Sequence, residues 1–377
     1  MFEATPAVIY CDLLLPYSAT FIRSQAEALN RYVPYYVGCR LINGLELPQE
    51  RTLPINKGSL TDAFWEAGYK FFGKSPYLVS ALRPLKPAFI HAHFGPDGLR
   101  ALPLARTLKI PLIVTFHGYD ATLKDEYAKR STISHRTYLK RRAKLQEDAH
   151  LFIAVSEFIK SKLLAQGFSS DKVVVHYIGV DTQLFQPNLT IPREPVVLFT
   201  GRLVEKKGCE YLIRAMSLVQ EQHPNVQLIV IGDGPLRADL EALAEATLKR
   251  FTFTGKQPPE VVRAWMNRAK IFCVPSIVAK SGDAEAFGIV FIEAQAMGLP
   301  VVSFASGGIP EAVIHDQTGL LAPEKDWRTL GHCITQLLNK EALWQVFSQQ
   351  GYERVREKFD LHRQSHVLEA IYNSVLE

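Results

Sequence analysis

"PVVLFTG", residues 195–201, sets five apolar or β-branched residues between a proline and a glycine. The run does not alternate, so neither of its faces is reserved for water. A strand of this kind is buried on both sides, as in parallel sheets whose crossover helices cover each face. The pattern recurs along the chain. Before it come "AVIYCDLLL", "AFIHAHF", "PLIVTFHG", "LFIAVS" and "KVVVHYIGV"; after it come "VQLIVIGDG", "RFTFTG", "IFCVPS" and "LPVVSFA". Stretches of helical periodicity separate the runs. The fold class is therefore α/β with doubly wound parallel sheets.

A chain of 377 residues is long enough for two such domains, each with its own core. "DTQLFQPNLTIPREP", residues 181–195, carries Pro187, Pro192 and Pro195 without clear periodicity and reads as a linker. Residues 1–186 then form one Rossmann-like domain and 187–360 a second, facing it across a cleft. In the last segment Val367, Ile371 and Val375 recur at helical spacing after Asp360, and this helix, about residues 361–377, is expected to return to the first domain.

Hydrophobic content of 47% and charged content of 21% are ordinary for a soluble globular protein. A formal charge of +5 allows anionic ligands or a membrane surface without requiring either. The five cysteines (Cys11, Cys39, Cys209, Cys273, Cys333) are scattered, with no C-x-x-C pair. They give no disulfide or zinc framework and fit a reducing cytoplasm. The opening residues carry Glu3, Pro6 and Asp12 with no basic segment, and read as a first buried strand rather than a signal peptide. No apolar stretch reaches the roughly 20 residues of a membrane span.

Chemistry is densest in "EAFGIVFIEAQAMGLPVV", residues 285–302, where Glu285 and Glu293 interrupt an apolar run. Gly298 and Pro300 end a helix that starts near Gly288, so Glu285 lies in the preceding loop and Glu293 about one and a half turns inside. The pair could grip different parts of one ligand. The amides of Gly288, Ile289 and Val290 and the positive dipole end would suit a phosphate between them. A capping Glu285 with a solvated Glu293 remains the other possibility at this level. In "LFTGRLVEKKG" a buried strand ends at Gly201, where parallel sheets bind ligands, and Arg202 and Lys207 follow. "LIVIGDGPL" imitates a dinucleotide fingerprint, but only Gly232 and Gly234 fit, with Arg237 where the third glycine belongs. It reads as a tight loop lining the cleft, not as a nicotinamide site.

Together "GRLVEKKGCEYLIRAM", "VIGDGPLRADLEALA", "FTGKQPPEVVRAWMNRAKIFCVPS" and "EAFGIVFIEAQAMGLPVVSFASGGIPEAV" resemble, in order and spacing, the family-four glycosyltransferases. These are retaining, nucleotide-sugar-dependent enzymes of the B-type fold. The resemblance is dense over about residues 195–325 and looser elsewhere. It implies that Arg202 and Lys207 bind the donor diphosphate and stabilise the leaving group, that Glu285 contacts the donor sugar, and that Glu293 holds the ribose hydroxyls. Phe287, Gly288, Ile289 and Val290 correspond to backbone that meets phosphate and sugar. Gly201, Gly232, Gly234 and Pro275 fall at strand ends on the donor side. "TFHGYD" places His117 where the family has a histidine near the donor sugar. No Asp-x-Asp motif occurs, which agrees with a metal-independent reaction without a cofactor.

Departures and open positions lie in the first half. Many relatives have a glycine-rich loop after the first strand, where this chain has "LLLPYSATF", making Tyr17 and Ser18 candidates for the acceptor side, with His93 and Asp120 as further cleft candidates. His91, His93, His117 and Asp120 form a metal set on paper, with sugar-lining histidines as the favoured reading. From Lys124 to Lys144 there are eight basic residues against Asp125 and Glu126, downstream of the aromatic "AFWEAGYKFFGKSPYLVSAL". The two could meet a membrane or an anionic lipid, or could be solvated faces and core aromatics.

The expected activity is hexose transfer from a nucleotide diphosphate sugar, UDP-linked first and GDP-mannose next, to a saccharide, lipid-linked or small-molecule acceptor. No nucleic-acid partner is expected. A catalytically inactive sugar-nucleotide-binding protein and a same-fold epimerase or phosphorylase are the alternatives.

Overall fold

The computed structural model describes residues 4–377; Glu3 of the first strand's reading lies outside them. The chain divides into two compact units, the first running to Gly179 and resuming at Leu361–Glu377, the second Val180–Asp360.

Unit 1 is built on β1 (Thr5–Tyr10), β2 (Leu13–Leu14), β3 (Tyr32–Leu41), β4 (Thr52–Asn56), β5 (Ile90–His93), β6 (Leu112–Phe116), β7 (Leu151–Ala154) and β8 (Val173–Val175). They make an eight-stranded sheet in the order β2-β3-β1-β5-β6-β7-β8, with β4 also on β3, and every pairing is parallel. The order reverses between β1 and β5, so the loops after these two strands diverge and leave room for a ligand.

Unit 2 contains β9 (Val196–Thr200), β10 (Gln227–Ile231), β11 (Phe251–Gly255), β12 (Ile271–Cys273), β13 (Val301–Phe304) and β14 (Gly319–Ala322). Their order, β11-β10-β9-β12-β13-β14, is the 3-2-1-4-5-6 of a dinucleotide-binding sheet. All pairings are again parallel. The opening stretch is β9, buried at every position. Its reversal point lies between β9 and β12.

The expected linker is placed differently. Residues 181–195 do not bridge the units as a free linker but belong to unit 2. Arg193 donates to the carbonyls of Met266 and Met297 (both 2.5 Å), Asn188 N–H to Asn267 Oδ1 (2.8 Å), and Glu194 pairs with Arg268 (2.7 Å). Prolines remove periodicity there without removing packing. The C-terminal helix, Leu361–Leu376, belongs to unit 1, and of the stripe Ile371 and Val375 pack against its core while Val367 does not. Val367 is exposed, while Leu361, Gln364, Ser365, Leu368, Glu369 and Tyr372 face inward. Polar partners turn the helix. Glu369 Oε1 accepts the backbone N–H groups of Asn30 and Arg31 (2.6 Å each), and the Tyr372 hydroxyl meets His91 Nδ1 at 2.7 Å. Tyr372 also packs on Tyr32 and Phe89 in the unit's core.

Candidate active site

In unit 2 the loops at the sheet's reversal point are held together by backbone contacts. Gly208, at φ 62°, follows the β9 loop, and a Cβ there would lie 1.9 Å from the carbonyl oxygen of Pro275 after β12. Only glycine permits that approach. It brings Lys207 Nζ to 2.5 Å from Glu285 Oε2, with Ser276 Oγ donating to the same oxygen at 3.3 Å. A second pair, Lys206 Nζ to Asp283 Oδ1 at 3.0 Å, joins the same two loops. Burial would push the Glu285 carboxyl up. Lys207 and then Lys206 outweigh it, and hold it below the ordinary glutamate range. Glu285 is therefore an anion at neutral pH.

The helix Ile289–Ala296 begins immediately beyond, with Gly288 at φ 85° as its cap residue and no side chain capping it. The first amides, including Ile289 and Val290, thus have no intrahelical carbonyl to bond. Glu293 lies inside this helix and is half-buried. Burial pushes its carboxyl up to about 7, with Arg263 the only charge opposing the shift. Arg202, just after Gly201, is exposed and forms no ion pair among the described residues. Gly232 and Gly234 bind the β10 loop to the β9 loop. A Cβ on Gly232 would meet the Gly201 carbonyl at 1.9 Å, and one on Gly234 the Leu203 carbonyl at 2.4 Å. Pro275 and Phe287 are buried. A cavity of about 800 Å³ lined by Val204, Tyr211, Leu240, Ile277 and Glu324 takes in none of Arg202, Lys207, Glu285 or Glu293. The candidate site is the strand-end surface beside it.

In unit 1 the strand ends of β5 and β6 carry histidines. His93 Nδ1 and His117 Nε2 share a hydrogen bond at 2.9 Å, and the Phe21 and Phe94 rings flank His117 at 4.9 and 4.8 Å. Burial and then the neighbouring His91 depress His117 to about 3, so it is neutral at physiological pH. Its Nδ1 has no hydrogen-bond partner among the described residues. His91 is turned inward, bonded to Tyr372 and, at 2.6 Å, to Thr115 Oγ1. Asp120 is committed to the backbone, accepting from His117 and Gly118 N–H on one oxygen and from Gly95 N–H on the other. These bonds order the β6 loop and the start of the helix Gly95–Leu108. Tyr17 is exposed and donates to Asn43 Oδ1 (3.1 Å). Ser18 lines a cavity of about 270 Å³ with Asp12, Leu15, Phe21 and Phe94, at the β1/β5 reversal.

Several site residues escape the sequence reading. Lys206, Asp283, Ser276 and Arg263 become visible only once the loops meet. In unit 1, Asp12 follows β1, donates its N–H to Asp97 Oδ2 (2.8 Å) and pairs with Arg100. Burial and then the Asp12 charge push Asp97 up to about 7. A lone aspartate at the end of a strand run, as in "AVIYCD", was the available signal.

An all-parallel sheet of Rossmann order, with an anchored glutamate and an uncapped helix at its reversal point, is the arrangement in which open α/β sheets bind ligands. The family model described as "Glycosyl transferases group 1" matches residues 181–354, and "Glycosyltransferase Family 4" matches residues 33–184. The chain belongs to the family-four glycosyltransferases. It is 32% identical over 279 residues to the amylovoran biosynthesis glycosyltransferase AmsK of Erwinia amylovora, covering 71% of this chain and 65% of that one. The chain spans 60–66% of the lengths of the first curated relatives it matches. Among solved structures, a sucrose-phosphate synthase of Thermosynechococcus elongatus superposes with a TM-score of 0.77 at 24% identity, over 98% of this chain and 99% of that one. Anabaena Alr3699/HepE in complex with UDP-glucose gives 0.77 at 18% identity over 98% and 99%. Both place the fold in the glycosyltransferase B-type architecture of two parallel-sheet α/β domains.

Proposed function

We propose that the protein transfers a hexose, with retention and without a metal ion or cofactor, from a nucleotide diphosphate sugar to an acceptor hydroxyl. The observation that carries this reading is the Lys207–Glu285–Ser276 contact at the reversal point of the unit 2 sheet, next to an uncapped helix start. A departing diphosphate needs preorganised positive charge, and the sugar needs an anion as it gains oxocarbenium character. Arg202, Lys207 and the Gly288–Val290 backbone would meet the diphosphate, while Glu285 meets the sugar. Lys207 has three donors and spends one on Glu285, leaving two for phosphate oxygens. Glu293 would accept the ribose hydroxyls. The bond from the anomeric carbon to the phosphate oxygen breaks with its electron pair leaving on the diphosphate. The acceptor oxygen bonds on the same face, and its proton passes to the departing phosphate oxygen. His117, neutral at working pH, would offer a ligand at the strand ends of unit 1 a hydrogen bond rather than a charge.

UDP-sugars are the favoured donors, in line with the UDP-glucose bound to the Anabaena protein, and GDP-mannose comes next. The acceptor is a saccharide, lipid-linked or small-molecule hydroxyl. The cysteines are buried and unpaired, which suits a reducing, cytoplasmic setting. No helix among the described residues is long and apolar enough to cross a membrane.

Transfer and donor hydrolysis should be measured with UDP-hexoses and GDP-mannose, with and without EDTA. Turnover that persists in chelator is expected. Turnover that stops and is restored by Mg²⁺ or Mn²⁺ would overturn the metal-independent reading. Donor binding with neither transfer nor hydrolysis would favour a sugar-nucleotide-binding protein.

A further inference from the structure

The helix Leu60–Phe72 of unit 1 is turned inside out. A surface helix ordinarily buries its apolar stripe and gives its charged face to water. Here Glu66 is 3% exposed and held by Arg40, Asn56 and Lys70, with Tyr69 at 1% beside it. The outer face carries Leu60 (92% exposed), Phe64 (73%), Trp65 (59%), Phe71 (82%) and Phe72 (71%). At 100° per residue these five fall within one arc of about 140°, shared only with Thr61 and Gly68. Large aromatic rings present ~150–250 Å² each, so the uncovered face is on the order of 500 Å². That is at the upper end of what monomeric proteins leave to water, and such patches mark interaction surfaces.

Its surroundings are cationic. Trp65 lines a cavity of about 350 Å³ with Lys57, Lys74 and Tyr77, and Phe71 and Phe72 line one of about 700 Å³ with Ile133, Arg100 and Arg141. Lys57, Lys74 and Arg141 are exposed and form no ion pair among the described residues. Arg136 and Lys140, on the same helix as Arg141 (Ile133–Asp148), are exposed as well. An apolar, aromatic face rimmed by unpaired cations is complementary to an anionic bilayer, which offers acyl chains below and negative headgroups above. A two-fold contact between copies would instead bring each cationic rim against its own image.

We propose that unit 1 docks on a negatively charged lipid surface through this face, with Phe64, Trp65, Phe71 and Phe72 entering the interface and Lys57, Lys74 and Arg141 meeting the headgroups. This goes beyond the proposed transfer reaction and does not depend on the donor chemistry. It brings the enzyme to acceptors carried on lipid.

The full chain should be sedimented with vesicles of phosphatidylcholine alone and of phosphatidylcholine mixed with phosphatidylglycerol. Binding to the mixed vesicles is expected, weaker in high salt and weak on phosphatidylcholine alone. Phe71→Ser combined with Phe72→Ser should reduce it by roughly tenfold or more, since two rings lose their burial. Both side chains are outside the core, so melting temperature and nucleotide affinity should hold. Trp65 supplies an independent readout. Tryptophan emission should shift to the blue on mixed vesicles, and Trp65→Phe should remove that shift while the other three tryptophans remain. Glu293→Ala, which disables the donor reading, should sediment like wild type. Wild type that stays in solution with mixed vesicles at low salt would overturn the proposal, as would undiminished binding by the double variant. A concentration-dependent dimer abolished by the double variant would overturn it in favour of a second copy.

Discussion

The strand ends of unit 2 and unit 1 solve the burial of polar groups in opposite ways. In unit 2 the carboxylate of Glu285 keeps its charge because Lys207 and Lys206 are brought to it. In unit 1 the histidines lose theirs, since burial leaves His93 and His117 neutral and bonded to each other. Charge in low-dielectric surroundings is retained only where a counter-charge is built in. On the proposed reading, the charges kept in unit 2 would serve a diphosphate and a developing cation.

The sharpest way to break this contrast is to remove the charge from Glu285. Glu285→Gln preserves size and hydrogen bonding, yet should lower kcat by roughly 10²–10³, about 3–4 kcal/mol, as for loss of one preorganised electrostatic contact. Nucleotide affinity should change much less, because the proposed contact is with the sugar in the transition state. Steady-state transfer and UDP calorimetry on the same preparation separate the two. A variant that turns over at the wild-type rate would end the assignment.

The contrast also explains what could be read from sequence. β9, β10 and β13 are largely apolar runs because both faces of the sheet are covered, so burial writes itself into composition. β3 does not read that way. It is among the longest strands, yet Pro34 and Gly38 punctuate it, and tertiary pairing with β1 and β4 overrides both. β14 is four residues and has no local signal. Glu285, Glu293, Arg202 and Lys207 were singled out through the resemblance of the motifs that hold them, and Lys207 and Glu285 do meet in the structure. Lys206, Asp283 and Ser276 were not, because the Gly208–Pro275 approach that unites them is a contact between loops about seventy residues apart. His91 was read with His93 as lining a sugar cleft, with a metal set as the other reading, and only the position of Tyr372 on the C-terminal helix shows that it faces the core.

Glu293 stands between the two regimes, a carboxyl in unit 2 treated as unit 1 treats its histidines. Burial pushes it up to about 7, so the folded state holds its proton where the unfolded chain, near 4.5, has released it. Between about 4.5 and 7 the native state binds more protons, and stability falls as pH rises through that window. Glu293→Gln should therefore stabilise the protein at pH 8 by about 1–2 kcal/mol, with the gain disappearing below pH 4.5. If Glu293 accepts the ribose hydroxyls, Glu293→Ala should at the same time weaken UDP or GDP binding by about 1.5–3 kcal/mol. Melting curves across pH and calorimetry with both nucleotides test the two halves. Unchanged nucleotide affinity would reduce Glu293 to a strained structural residue.

The smallest expected effect belongs to His117 and has the opposite sign with pH. Its folded pKa of about 3 lies below the ordinary 6.5, so between these values the unfolded chain binds the extra proton. Stability contributed by keeping the ring neutral is complete above about 6.5 and is lost as pH falls toward 3. The slope for one such group is at most about 1.4 kcal/mol per pH unit, and proton uptake by the paired His93 shares it. His117→Asn removes the titrating group while leaving a side chain that can hydrogen-bond to His93. The variant should lose roughly 1 kcal/mol less than wild type between pH 7 and pH 5.5. Thermal melts at matched ionic strength would show this as a shallower fall of Tm on acidification. A variant as acid-sensitive as wild type would mean that His117 is solvated and titrates normally, and the strand ends of unit 1 would then carry a cation near pH 6, which would remove the difference between the two halves.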